Sequence, residues 1–217
     1  MDFKAVAEQL RKPTGQFGLK IAENMNLSNA LINKWTINKL HAKANNNILE
    51  IGMANGLFVK ELLQKNAAVR YSGVDFSQIM VDESVIRNSK YIKNGQAAFY
   101  CADAQKLPFA DNTFDKAFTI NTIYFWEEPA AVLAELSRVL KPGGVFIISI
   151  RPQRVMQNYP FTQYGFRLYS SQALSELLAE NGFLVTEAEE YTEPDQQLGE
   201  LVIKPESLIV TAQNNIC

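Results

Sequence analysis

From Ile48 onward, short apolar runs alternate with longer stretches in which apolar residues recur every three or four positions. Runs of the first kind predict buried strands and stretches of the second kind amphipathic helices. Strands are predicted over 48–51, 69–74, 97–101, 114–120 and 145–150, with helices over 56–65, 77–88 and 129–140. Pro129 suits the first turn of the last helix, because its fixed φ is helical and its missing N–H would be unpaired there anyway. Lys141-Pro142-Gly143-Gly144 reads as a turn. A further helix from about Ser171 should stop at Asn181-Gly182 in a left-handed cap. Two last strands, 183–189 and 207–212, are separated by a polar connection containing Pro194 and Pro205.

Ahead of this alternation, residues 1–44 read as helical. Phe3, Val6 and Leu10 share a face, Lys12-Pro13-Thr14-Gly15 breaks it, and Phe17 to Met25 resumes it. Ser28 is expected to be the N-cap of another helix reaching about Leu40. The whole pattern predicts an α/β fold: a doubly wound, mostly parallel, Rossmann-like sheet of about seven strands behind an N-terminal helical extension.

Polar residues fall just beyond several strand ends: Glu50, Asp75, Asp103 and Asn121. In a parallel sheet those ends share one edge, where ligands bind. The first strand runs into Gly52-Met53-Ala54-Asn55-Gly56 and then a helix. Glycines there allow close approach of the backbone, and a helix N-terminus offers free N–H groups to an anion.

Composition narrows the chemistry. The 217 residues carry a net charge of −2, with 47% apolar and 20% charged residues. No dense Lys/Arg cluster supplies the basic stripe that nucleic acid needs, so no nucleic-acid partner is expected. The start, Met1-Asp2-Phe3-Lys4, has no apolar signal core, and no run reaches about 18 apolar residues, so no membrane insertion and a cytoplasmic location are expected. One histidine, His41, read as a surface residue, and two distant cysteines, Cys101 and Cys217, leave no metal site and no Ser-His-Asp triad. Cys101, closing an apolar run, is expected to be a small buried hydrophobe.

A dinucleotide turn wants Gly-x-Gly-x-x-Gly, whereas the spacing here is Gly-x-x-x-Gly, with Ala54 where a middle glycine might stand and Asn55 bulkier than usual. Over roughly residues 45–190 the chain instead resembles the class I S-adenosylmethionine-dependent methyltransferases, of the small single-domain type 11 kind. Glu50-Ile51-Gly52-Met53-Ala54-Asn55-Gly56, Gly73-Val74-Asp75-Phe76-Ser77, Asp103-Ala104-Gln105-Lys106-Leu107-Pro108-Phe109, Asp111-Asn112-Thr113-Phe114-Asp115 and Leu140-Lys141-Pro142-Gly143-Gly144 carry the likeness, in that order.

The resemblance implies S-adenosylmethionine as cofactor and residues 45–217 as the catalytic domain, with 1–44 as a lid. It implies that the backbone of Gly52, Met53, Ala54 and Gly56 passes the methionine moiety, and that Glu50 holds the loop or faces the ammonium. Asp75 would accept from the ribose hydroxyls, Phe76 pack on the adenine, Asp103 and the Ala104 N–H serve its edge, and Asn121 border the sulfonium. Many relatives carry histidine near Asn121; here the segment is Tyr124-Phe125-Trp126, with no imidazole to remove a proton. An acceptor needing little deprotonation fits that best, with Tyr124 as the acceptor-side residue.

A small-molecule acceptor is expected, walled by Phe17, Gly18, Met25, Trp35, Trp126, Arg151 and Tyr164, with Tyr159, Phe161, Phe166 and Tyr169 as an aromatic cover or as plain packing. Arg151 and Arg154 would hold an acidic acceptor or lie solvated on the surface. Residues 12–18 would be a lid hinge or an ordinary turn. Two other readings stand beside the enzyme: a non-catalytic adenosyl-ligand module blocked by its aromatics, and a nicotinamide-dependent oxidoreductase, disfavoured by the glycine spacing and by the lack of a Tyr-x-x-x-Lys pair.

Overall fold

The computed structural model describes residues 2–65, 67–198 and 201–215; Cys217 lies outside them. The chain begins with α1 (Phe3–Arg11), α2 (Gly15–Ser28) and α3 (Ala30–Lys39). Asp2 caps α1 by accepting from the N–H groups of Lys4 and Ala5 at 3.0 and 3.1 Å, two of the donors a helix start leaves unpaired. Ser28 is not the cap expected of it. It is the last residue of α2, its hydroxyl donates back to the carbonyls of Asn24 and Met25, and Asn29 takes the cap position of α3.

Then follow β1 (Asn47–Ile51), α4 (Val59–Lys65), β2 (Arg70–Asp75), α5 (Gln78–Arg87), α6 (Ser89–Lys93), β3 (Ala97–Cys101), β4 (Phe114–Ile120), α7 (Pro129–Val139) and β5 (Leu140–Ile150). After α8 (Gln153–Met156) and α9 (Ser171–Glu180) come β6 (Phe183–Thr192), β7 (Gln196–Leu198), β8 (Leu201–Ile203) and β9 (Glu206–Asn214). A seven-stranded sheet has the order β3-β2-β1-β4-β5-β9-β6, parallel except that β9 runs antiparallel to both neighbours. No helix among the described residues is long and apolar enough to cross a membrane.

The differences from expectation are local. Helix α4 starts at Val59 because residues 52–58 are spent on the loop before it. Lys141 to Gly144 lie within β5 as an irregularity between the Phe114–Leu140 and Lys116–Val145 pairs. The polar connection around Pro194 and Pro205 holds the unexpected β7–β8 ribbon. Asn181-Gly182 ends α9 as expected, with Gly182 at φ +84°.

Alternation along the strands splits the core in two. Leu49, Ala117, Phe146, Ile148 and Val210 face α7 and α9; Ile48, Phe118, Ile147 and Ile209 face α3 and α4. Helix α3 is thus part of a core layer, with Ile32 and Ile37 buried, while α1 and α2 pack on each other, on residues 160–163 and on α5. Trp35 belongs to that core side, stacked on Tyr191 at 4.8 Å between ring centres, and is not a wall of any acceptor site. His41 is exposed, as expected. Cys101 is exposed as well, contrary to expectation: β3 is the sheet's edge strand, and an apolar run does not reveal which strand lies at the edge.

Candidate active site

The strand order reverses between β1 and β4, and in such sheets ligands bind outside the carboxyl ends at that point. The loop leaving β1 is tightly held there. Gly52 has φ +75°, and a Cβ on it would lie 2.2 Å from Thr122 Cγ2, so this loop packs directly on the loop after β4. At Gly56, φ +65°, a Cβ would meet Ser84 Oγ at 2.7 Å and Asn88 Nδ2 at 2.8 Å. Ser84 on α5 and Asn88, which caps its C-terminus, donate to the carbonyls of Ala54 and Gly56, at 2.9 Å each. Ala54 sits at φ +49°, and Asp75 accepts from its N–H at 3.0 Å.

A cavity of about 210 Å³ lies along these strand ends. Gly52 and Ala54 wall it from β1, Asp75 and Phe76 from β2, Asp103 and Ala104 from β3, and Asn121 from β4. The two oxygens of Asp75 accept from the N–H groups of Ser77 (2.9 Å) and Ala54 (3.0 Å), and each keeps a further lone pair for a ligand. Asp103 is exposed and accepts from the Gln105 N–H at 2.9 Å. The loop carrying it is tied down by Arg138, which donates to the carbonyls of Leu107 and Phe109 and to Asp111. Glu50, Met53 and Gly56 stand behind the wall and hold it: Glu50 accepts from the Tyr71 hydroxyl at 2.5 Å.

The N-terminal turn closes this cavity. Leu10, Arg11 and Pro13 line it, Ser77 Oγ donates to the Pro13 carbonyl at 2.6 Å, and Lys12 Nζ lies 5.1 Å from the Phe76 ring centre. Arg11 pairs with Glu127 at the rim.

Burial pushes the Glu50 carboxyl up to about 7, partly offset by the Tyr71 hydrogen bond. Burial also pushes Asp75 up to about 6, against the pull of the Ser77 and Ala54 N–H groups and Lys12. Both groups hold protons more tightly folded than unfolded, where carboxyls titrate near 4. Their contribution to stability is therefore full below about pH 4 and is lost as the pH rises through about 6 to 7. In urea unfolding of the ligand-free protein, Glu50→Gln is expected to raise stability at pH 8 relative to pH 5. A difference that ignores the substitution would contradict the assignment.

A second, larger chamber of about 730 Å³ adjoins the first, and Leu10, Met25, Asn121 and Phe125 line both. Its walls are α1 and α2 on one side and Tyr124, Tyr159, Phe161 and Phe166 on the other. The expected wall residues divide. Phe17, Met25, Tyr124 and Arg151 line the chamber, whereas Trp126 lines the smaller cavity. Gly18 packs under Pro13, and Tyr164 is exposed and lines neither space. Tyr169 is buried in the core beneath.

Arg151 is not the solvated residue that one reading made of it. It is buried, donates to Glu193 at 2.9 and 3.2 Å, and reaches the Ser28 carbonyl at 2.7 Å. Arg154 is the exposed one, paired with Glu190 and Glu206. The Tyr124 hydroxyl accepts from the Arg151 N–H (2.7 Å) and donates to the Arg151 carbonyl (2.8 Å), and burial raises its pKa far above the ordinary value. Tyr124→Phe is expected to cost about 1–2 kcal/mol in chemical unfolding, the worth of a buried hydroxyl and its partners; no loss would mean these bonds are replaced by water.

Sequence reasoning missed Ser84, Asn88, Arg138, Glu193 and Asn29. Ser84 and Asn88 left the one available trace, small polar residues at i and i+4 on the inward face of an amphipathic helix.

Residues 49–148 match the family described as a methyltransferase domain. The chain is 26% identical over 129 residues to the uncharacterised methyltransferase YdaC of Bacillus subtilis, covering 59% of this chain and 69% of that one. It is 32% identical over 133 residues to the ubiquinone/menaquinone biosynthesis C-methyltransferase UbiE of Desulfotalea psychrophila, covering 61% of this chain and 52% of the relative. In fold it superposes, at a TM-score of 0.79 and 17% identity, on a chain of the complex between the Haloferax volcanii Trm112 methyltransferase activator and a methyltransferase, covering 90% and 93% of the two chains. The donor set of the smaller cavity fits the adenosyl cofactor: an acceptor pair at the end of β2 for a diol, a carboxylate at the end of β3 for an amine, and Phe76, Met80 and Ala102 for a flat ring. By its motifs, its sheet and these matches, the chain is similar to the class I S-adenosylmethionine-dependent methyltransferases, and its residues 49–148 match their methyltransferase domain.

Proposed function

We propose that this chain methylates a small, largely apolar organic molecule held in the larger chamber. The observation that carries the reading is the pair of adjoining spaces at the strand ends, one lined by Asp75 and Asp103, the other by aromatic and aliphatic side chains, with Asn121 and Phe125 in the wall of both. S-adenosylmethionine bound in the first supplies a methyl group activated by a positive sulfur.

The chain's own part is to orient and to exclude water. Asp75, Phe76, Asp103 and the Ala104 N–H would hold the nucleoside, the backbone at Gly52 and Ala54 the methionine end, and Asn121 the boundary with the chamber. Helices α1 and α2 cover both spaces, latched through Pro13–Ser77 and Arg11–Glu127, so the lid is their part of the 1–44 segment. Alignment of a nucleophile in a dry chamber accounts for much of such a rate gain. Tyr124 acts here as a wall and as the support of the Arg151 backbone, because a hydroxyl so committed is no base at neutral pH. The chamber lining, among the described residues, holds no histidine and no carboxylate. The name of the UbiE relative, a C-methyltransferase of quinone biosynthesis, supports a small acceptor.

The non-catalytic reading draws on the burial of Tyr124 and Trp126, and the walls common to both spaces favour the enzyme over it. Incubation with methyl-deuterated S-adenosylmethionine and a panel of aromatic and unsaturated acceptors, read by mass spectrometry, tests the choice. Labelled product that depends on Asp75 is the expected result. Tight cofactor binding with no product from any panel member favours the binding module.

A further inference from the structure

The boundary between the two spaces is a fixed amide pair. Asn121, at φ +56°, a region asparagine tolerates, accepts at Oδ1 from the Arg151 N–H at 3.2 Å, a donor it shares with the Tyr124 oxygen at 2.7 Å. A peptide N–H can only donate, so the atom facing it is oxygen and the Asn121 NH2 must point the other way. It donates to Asn29 Oδ1 at 3.2 Å. That contact in turn commits the oxygen of Asn29 and leaves its NH2 with no protein partner among the described residues. Asn29 is half-buried and lines the larger chamber but not the smaller one.

The charges of the chamber point the same way. Among the described residues, its charged lining residues are Lys20 and Arg151, and no acidic side chain lines it. Arg151 is neutralised by Glu193, which leaves the exposed Lys20 as the charge in the lining with no ion pair among the described residues. An ammonium group would enter with no counter-charge; an oxygen, neutral or anionic, would meet a free amide donor next to the cofactor and a cation farther out.

We infer that Asn29 is a specificity-determining residue whose NH2 donates to an oxygen of the acceptor, and that the acceptor is an apolar molecule bearing a carbonyl or anionic oxygen rather than an amine. This rests on the reading of the larger chamber as the acceptor site. The oxygen held by Asn29 beside the boundary would point the acceptor's nucleophilic atom toward the cofactor. Where that oxygen is already ionised, its electron pair, on oxygen or relayed to the conjugated carbon, forms the bond to the methyl group as the methyl–sulfur bond breaks and S-adenosylhomocysteine leaves, with no protein base needed for that transfer.

The test uses the full chain saturated with S-adenosylhomocysteine and three probes sharing one apolar body: 2-naphthoate, 2-acetylnaphthalene and 2-(aminomethyl)naphthalene. Calorimetry at neutral pH is expected to rank both oxygen-bearing probes about tenfold or more above the ammonium, the worth of one well-placed hydrogen bond and the avoided burial of a charge. Asn29→Asp keeps an oxygen for Asn121 but cannot donate, so it should weaken 2-naphthoate about tenfold or more while leaving S-adenosylhomocysteine affinity unchanged. Equal or tighter binding of the ammonium probe, an unaltered 2-naphthoate affinity in Asn29→Asp, or no probe binding to the loaded protein would each overturn the inference. Should the variant also lose S-adenosylhomocysteine, the probe ranking on the unmodified chain decides alone. Failure of the unmodified chain to bind S-adenosylhomocysteine would instead remove the parent reading.

Discussion

Replacing Arg151 with methionine is expected to destabilise the protein by about 3–5 kcal/mol, the cost of leaving one charge of a buried pair alone. Glu193 is the charge left behind. Its side chain is 1% exposed, and beyond Arg151 its side-chain hydrogen-bond partner is the Ser207 hydroxyl at 2.6 Å. The double change Arg151→Met with Glu193→Leu should recover most of that loss, because hydrophobic replacements of a buried pair are often neutral or better. Chemical denaturation of the two single variants and the double measures the coupling directly. Additive losses would mean that the pair does not act as a unit. The same cycle bears on function: Arg151 also reaches the Ser28 carbonyl, where α2 ends beside the chamber, so the single variant should loosen that cover.

Asp75→Ala is expected to weaken S-adenosylmethionine binding by about 1–3 kcal/mol, roughly 5- to 150-fold. Two losses combine in it. The ligand's hydroxyls lose a charged acceptor, and the N–H groups of Ala54 and Ser77 lose the carboxylate that positions the loop. The pH dependence separates them. The Asp75 carboxyl titrates near 6 in the ligand-free protein. A ligand that donates to it favours the ionised form, so affinity should fall below that pH, by at most about tenfold per unit for one proton. In Asp75→Ala that pH dependence should disappear. Unchanged affinity in the variant, or an affinity in the unmodified protein that stays flat through pH 5–7, would remove the ribose assignment.

What the sequence reveals is local. The Gly52–Gly56 turn, the acidic residues after β2 and β3 and the alternation of strands with helices are written in contiguous residues, and they lie at one sheet edge as expected. What it hides depends on partners far along the chain. Arg151 looks like a surface cation until Glu193 folds against it. Trp35 looks like a pocket aromatic until Tyr191, from β6, stacks on it. Cys101 looks buried because nothing in an apolar run says that its strand has a neighbour on one side only. Asn29, one of several asparagines in a polar helical stretch, gains meaning only when Asn121 meets it. The aromatic run after β5 divides in the same way, with Tyr159, Phe161 and Phe166 at the chamber, Tyr169 in the core and Tyr164 at the surface.

The most direct test of the account is calorimetric titration of the purified protein with S-adenosylmethionine and S-adenosylhomocysteine, with NADH as the control. Micromolar binding of both adenosyl ligands, weakened in Asp75→Ala and absent for NADH, is the predicted result. Silence for both adenosyl ligands together with tight NADH binding would contradict it.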